Sequence, residues 1–185
     1  PFLENNNFVQ RGKGKGVKDF TIEAAMSVEQ LTATLKKGVE IANGFGHRYD
    51  AFALGAFGHG GKLVAVALTA YLCEHNLEEL IQAYSDDEKK LIRHLTITLK
   101  RESQEDFYEV LSRVVGFEII TLVGVIIAAA NLRKVVVLDG LVTTAAALIA
   151  QKLNNSLAVL PCVERFASSV GSARIWRSLC KRGDL

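Results

Sequence analysis

The chain has 185 residues, 49% of them hydrophobic, and 22 Lys and Arg against 20 Asp and Glu give a formal charge of +2. That length and apolar content support one domain with a sizeable core, because chains divide into separate cores only beyond about 250 residues. The small charge argues against nucleic acid as a partner, and the longest apolar run, Ile119 to Ala130, falls short of the roughly 20 residues that a membrane span needs.

Residues 1–20 are rich in Asn and Gly without apolar periodicity and read as an extended segment, in which Arg11-Gly12-Lys13-Gly14-Lys15-Gly16-Val17-Lys18 is a flexible lead-in. Residues 21–185 read as a single α/β domain. Ser27 with Gln30 forms a capping box, Met26 and Leu31 a hydrophobic staple, and Leu31, Leu35 and Val39 share one face, which predicts a helix to about Asn43. Asp50 to Leu54 predicts a short strand. The glycine-rich turn Gly55-Ala56-Phe57-Gly58-His59-Gly60-Gly61 and an apolar helix from Lys62 to Cys73 follow it. Asn76 with Glu79 and Ser85 with Glu88 predict N-caps for a short helix and for one of roughly sixteen residues. Ser103 with Asp106 predicts the cap of a helix through Val115, after which Gly116 leads into an apolar helix ending near Asn131.

Val135-Val136-Val137-Leu138 suits a buried strand, Asp139-Gly140 a sharp turn, and the Thr/Ala-rich run Leu141 to Ala150 a helix packed closely on that strand. Ligands of open α/β sheets sit where strands end and helix N-termini offer free N–H groups, so this joint is a candidate site. Ser156 to Leu160 gives a third strand signal, stopped by Pro161, and a last helix is expected around Gly171 to Lys181, with Ile175, Trp176 and Leu179 on a core or dimer face. Strands separated by helices imply parallel pairing with right-handed crossovers. The expected fold is therefore a helix-dominated α/β protein with a small parallel sheet of three or four short strands under many covering helices. Homodimerisation is the simplest cover for the edges of so small a sheet.

The 135–150 joint resembles the VVLDGFxxTAAALLA segment of nicotinate-nucleotide:dimethylbenzimidazole phosphoribosyltransferases. Gly116-Phe117-Glu118-Ile119-Ile120, Gly124 and Ala128-Ala129-Ala130 resemble that family's GGLEIAALAGAxxGAA, and Ala25-Met26-Ser27 its AMT. The resemblance covers the middle of a family domain about twice as long, and implies a shortened form of the family's large domain. The family moves phosphoribose from nicotinate mononucleotide to a benzimidazole. That chemistry needs a carboxylate base, and N–H groups or cations around the 5'-phosphate.

Position by position, the resemblance implies that framework residues are kept and chemistry residues are replaced. The chain ends at Asp184-Leu185 before reaching a counterpart of the family's base. Ala56 stands where a second family glutamate lies, Gln82-Ala83-Tyr84 replaces a phosphate-cradling GTG turn, and Arg93 replaces a lysine. Arg165 to Ser172 aligns with an HRSAEPGH segment without its histidines, glutamate or proline. Gly58, His59, Gly60, Arg93, Glu118, Asp139, Gly140 and Thr143 remain as candidate ligand contacts. Each of the framework matches also has a structural role open to it: Asp139 as a cap, Gly140 at positive φ, Glu118 as a helix-dipole partner.

The reading that best fits this pattern is a non-catalytic relative, a pseudoenzyme acting as a structural, storage or small-aromatic-binding protein. An active phosphoribosyltransferase with substitute residues or a separate subunit is the alternative. A metal- or pigment-binding protein centred on His47 and His59 is a third reading, although no metal or other cofactor is required by the first two. His75 and His94 read as surface residues. Cys73, Cys162 and Cys180 show no metal-ligand spacing and leave one intrachain bridge, an intermolecular bridge or three thiols open. Pro1 in place of Met and the sequon Asn154-Asn155-Ser156 lean towards secretion. The expected partners are a second copy of the chain and a small aromatic or nucleotide ligand.

Overall fold

The structure, a computed structural model, describes residues 16–56, 60–74, 76–101 and 106–154. Helix α1, Val28–Gly46, starts at the expected capping box: Gln30 N–H donates to the Ser27 hydroxyl at 3.2 Å and Ser27 N–H to the Gln30 side chain at 2.9 Å. It runs three residues past the expected stop because its last turn packs on the far end of α6, Phe117–Asn131. A Cβ on Gly46 would stand 2.5 Å from Leu132 Cδ1. Packing of this kind overrides the low helix propensity of Gly44 and Gly46.

The strands β1, Ala51–Leu54, and β2, Val135–Leu138, pair in parallel with Ala51 opposite Val135 and Leu54 opposite Leu138. Two strands are thus described where three or four were expected, and the third signal at 156–160 lies outside the described residues, as does the expected helix 171–181 with Trp176. The helix-dominated fold with a small parallel sheet is the one expected. The strand burial is not. Only alternate residues are covered: Leu54 and Leu138 enter the core with Phe52 and Val136 packed against it, while Val135 and Val137 stay 50% and 37% exposed. A parallel sheet that carries helices on one face only buries one side of its pleat.

Helix α2, Gly61–Leu72, follows β1, and the four-residue α3, Leu77–Leu80, is capped by Asn76. Helix α4, Asp86–Arg101, buries Ile92, Leu95, Thr96 and Leu99 at helical spacing. Helix α5, Phe107–Val114, is capped by Asp106, whose carboxylate accepts Tyr108 N–H at 2.8 Å. Asp106, expected at the third helical position behind Ser103, is itself the cap; Ser103 lies outside the described residues. Helix α7, Leu141–Leu153, is buried without a break from Val142 to Ala150. Its Thr and Ala side chains are small enough to admit neighbours on every side. Helix α7 packs on α2 and on α6, α6 also on β2, α4 on α2, and α1 on α6. Cys73 is buried against Leu148, whereas Cys162 and Cys180 lie outside the described residues. Among the described residues no helix is long and apolar enough to cross a membrane.

Candidate functional site

Parallel pairing brings both strand ends to one edge of the sheet. Asp139 N–H extends the ladder by donating to the Leu54 carbonyl at 3.2 Å, and from this edge the chain turns into α2 and α7. The N-terminal turn of α6 meets them there. A Cβ on Gly61 would lie 3.2 Å from Glu118 Oε1 and 4.0 Å from Val142 Cγ2, so the first turns of α2, α6 and α7 come together at this edge.

All three helices begin behind a glycine and none has a side-chain cap. Gly60 sits at φ 79° and Gly140 at φ 84°, conformations that side chains disfavour, so the sequence fits glycine to both turns. First-turn N–H groups of a helix lack intrahelical acceptors and carry the positive end of its dipole. Three such ends therefore face the edge at which ligands of α/β sheets bind. The exposed Glu118 carboxylate folds back over the start of its own helix, close enough that any side chain at Gly116 would collide with it. It places a hydrogen-bond acceptor among donors. Gly61, Gly116 and Val142 are the contributors that sequence reasoning did not single out. The available signal was a glycine, in place of Ser, Thr or Asp, directly before each apolar helix.

The other sequence candidates divide. Gly140 takes the positive φ expected of it, and Thr143 and Thr144 donate their hydroxyls to its carbonyl at 2.9 and 3.0 Å. Thr143 is wholly buried and pins the turn. Asp139 does not cap α7: the cap position is Gly140, and the exposed aspartate side chain stands outside the helix. Gly58 and His59 lie outside the described residues, and Gly60 starts α2. His47 closes the C-terminus of α1 and leads into β1. Among the described residues there is no group of three His, Cys, Asp or Glu that could hold one.

Arg93 is committed elsewhere. Its Nε and Nη2 donate to the two carboxylate oxygens of Glu78 at 2.9 and 2.7 Å, and this fork holds the Glu78 carboxyl below its ordinary range. The turn before α4 is likewise closed. Tyr84 N–H donates to the Ile81 carbonyl at 3.0 Å, and burial pushes the Tyr84 phenol up, with Glu88 adding to the effect. The Ser85 N–H and hydroxyl donate to Glu88 at 2.9 and 2.7 Å, so a carboxylate of the chain itself fills the N-terminus of α4. Ala56 packs against the core. A separate open groove of about 400 Å³, lined by Thr21, Asp87, Lys90, Leu91 and His94, contains none of the candidate residues; Lys90 there is held by Asp87 at 3.2 Å.

Residues 3–181 match a family model described as Phosphoribosyltransferase. The chain is 32% identical over 157 residues to the nicotinate-nucleotide–dimethylbenzimidazole phosphoribosyltransferase of Syntrophotalea carbinolica, which covers 82% of this chain and 44% of that protein. It is 33% identical over 152 residues to the enzyme of the same name from a Roseiflexus species, covering 78% of this chain and 43% of that one. Among solved structures, CobT from Thermus thermophilus superposes with a TM-score of 0.66 at 25% identity, over 76% of this chain and 44% of the other. The chain thus spans less than half the length of the curated relatives it matches.

Proposed function

The chain belongs to the nicotinate-nucleotide:dimethylbenzimidazole phosphoribosyltransferase family, and on that premise we propose that it is a non-catalytic member that binds a small ligand at the convergence of α2, α6 and α7. The contrast between open and closed helix N-termini carries this reading. At α4, where the resemblance places the phosphate-cradling turn, Glu88 occupies the helix end and Arg93 is held by Glu78. At α2 and α7 the glycine caps leave N–H groups for a ligand oxygen, and Glu118, folded over the start of α6, is placed to accept a hydrogen bond from a ring N–H. An azole or a nicotinate-like anion fits these two demands together. A ligand held by donors on one side and by an acceptor on the other is oriented, yet orientation alone does not transfer a group. With Ala56 at the turn after β1, the carboxylate that the resemblance implies there is replaced by a methyl group packed on the core.

Calorimetric titration with nicotinate mononucleotide, dimethylbenzimidazole and inorganic phosphate tests this reading. Saturable binding of at least one of the two organic ligands, weakened in Glu118→Gln, is the expected result. Absence of binding by all three, or equal binding by the variant, would overturn it.

The exposure of Glu118 also favours a second reading, in which this carboxylate serves as the base for phosphoribosyl transfer completed by a separate subunit. Product formation by the protein mixed with such a subunit separates the two.

A further inference from the structure

Glycine stands at two positions of the candidate site where the backbone does not call for it. Gly116 takes φ −79° and ψ 158°, extended backbone open to any residue, and Gly61 opens α2 without a positive φ. Ser, Thr or Asp at the first position would cap α6, and glycine at the second is a poor helix former. What the two share is the Glu118 carboxylate. A Cβ on Gly116 would overlap both of its oxygens, with the carboxyl carbon 2.6 Å away, and a Cβ on Gly61 would stand 3.2 Å from Oε1. The carboxylate thus lies in a slot left by the missing side chains of two helix starts. Capping does not hold it there, since α6 has no side-chain cap and Glu118 forms no hydrogen bond or ion pair among the described residues. The dipole of α6 attracts the charge, but it does not select one orientation of a long, flexible side chain.

We infer that Gly61 and Gly116 are positioning residues for Glu118, and that their slot keeps its carboxylate turned back to the edge where β1 and β2 end. That the carboxylate meets a ligand there rests on the binding reading above; its place in the slot does not.

Two measurements on the full chain test the two parts separately. Without ligand, nuclear Overhauser effects between the Glu118 γ-protons and the Gly116 α-protons are expected in the parent and should weaken in Gly61→Ala, which leaves Gly116 itself unaltered. With ligand, calorimetry of nicotinate mononucleotide and dimethylbenzimidazole on the parent, Gly116→Ala, Glu118→Gln and the double variant forms a cycle. Gly116→Ala should weaken binding about tenfold or more, the loss expected for one hydrogen bond to a charged group, while its urea midpoint stays near that of the parent. The double variant should bind no more weakly than Glu118→Gln alone, because a positioning residue has nothing left to position. Should Gly116→Ala fail to fold, Gly61→Ala takes its place in the cycle. Absent Overhauser effects in the parent, undiminished ones in Gly61→Ala, or losses that add in the double variant would overturn the inference. If neither ligand binds the parent, the binding reading fails, and the Overhauser effects alone decide whether the slot holds the carboxylate.

Discussion

Gly38 of α1 and Gly124 of α6 touch backbone to backbone: a Cβ on either would stand 3.0 Å from the Cα of the other. Each such Cβ would also collide with a carbonyl oxygen of the facing helix, Thr121 for Gly38 and Leu35 for Gly124. The crossing fixes α6, and with it the position of Glu118. Gly124→Ala removes a helix-weakening glycine, worth roughly 0.5–1 kcal/mol in isolation. The overpacking against backbone that it creates costs about 1–3 kcal/mol. Overpacking wins because neither helix can yield without moving its neighbours, so denaturant unfolding should show a net loss of stability.

Gly140 and Gly61 separate strain from space at the candidate site. At Gly140 nothing stands within 4 Å of an added Cβ, but φ is 84° and ψ −177°, a region essentially reserved for glycine. Gly140→Ala should therefore cost about 1–3 kcal/mol of stability through backbone strain alone. At Gly61 the backbone is ordinary helix, and the added methyl meets Glu118 Oε1 at 3.2 Å and Val142 Cγ2 at an ordinary contact distance of 4.0 Å. Gly61→Ala is expected to leave thermal unfolding near the parent value and to weaken ligand affinity by displacing the carboxylate. Equal effects of the two substitutions on stability would contradict this assignment.

Ser85 sets the acid sensitivity of α4. Its backbone N–H and then its hydroxyl hold Glu88 below the ordinary glutamate value of 4.5. A depressed folded-state value contributes stability that is present above pH 4.5 and is lost as pH falls through the lower folded value. Ser85→Ala removes the hydroxyl bond and should flatten the fall of stability in that window, followed by urea midpoints between neutral and acid pH.

The Arg93–Glu78 fork gives a test of what binds phosphate. If Arg93 serves the fold, Arg93→Gln should return the Glu78 titration, followed by nuclear magnetic resonance, towards its ordinary range. It should leave the affinity for nicotinate mononucleotide unchanged. A large loss of that affinity would make Arg93 a ligand contact after all.

Much of this was legible in the sequence where one residue determines one local structure. Ser27 with Gln30, Asn76 and Ser85 with Glu88 mark their helix starts because each cap is satisfied within four residues of chain. Gly140 signals its own positive φ. The partial exposure of β2 was not legible, since Val135 to Leu138 reads as a buried run, whereas among the described residues alternate positions of the strand stay exposed. Nor was the site itself. Gly61 and Glu118 are far apart in the chain, and nothing local in either states that the fold brings the starts of α2 and α6 together. Arg93 misled for the same reason, since its partner Glu78 lies on a different helix.

The central claim is that this scaffold binds without transferring. The most direct test incubates the protein with nicotinate mononucleotide and dimethylbenzimidazole at saturating concentrations and separates the mixture by chromatography. The account expects both substrates to be recovered, with no riboside phosphate above the uncatalysed background. Product accumulating at enzyme-like rates, in proportion to protein and abolished by Glu118→Gln, would contradict it.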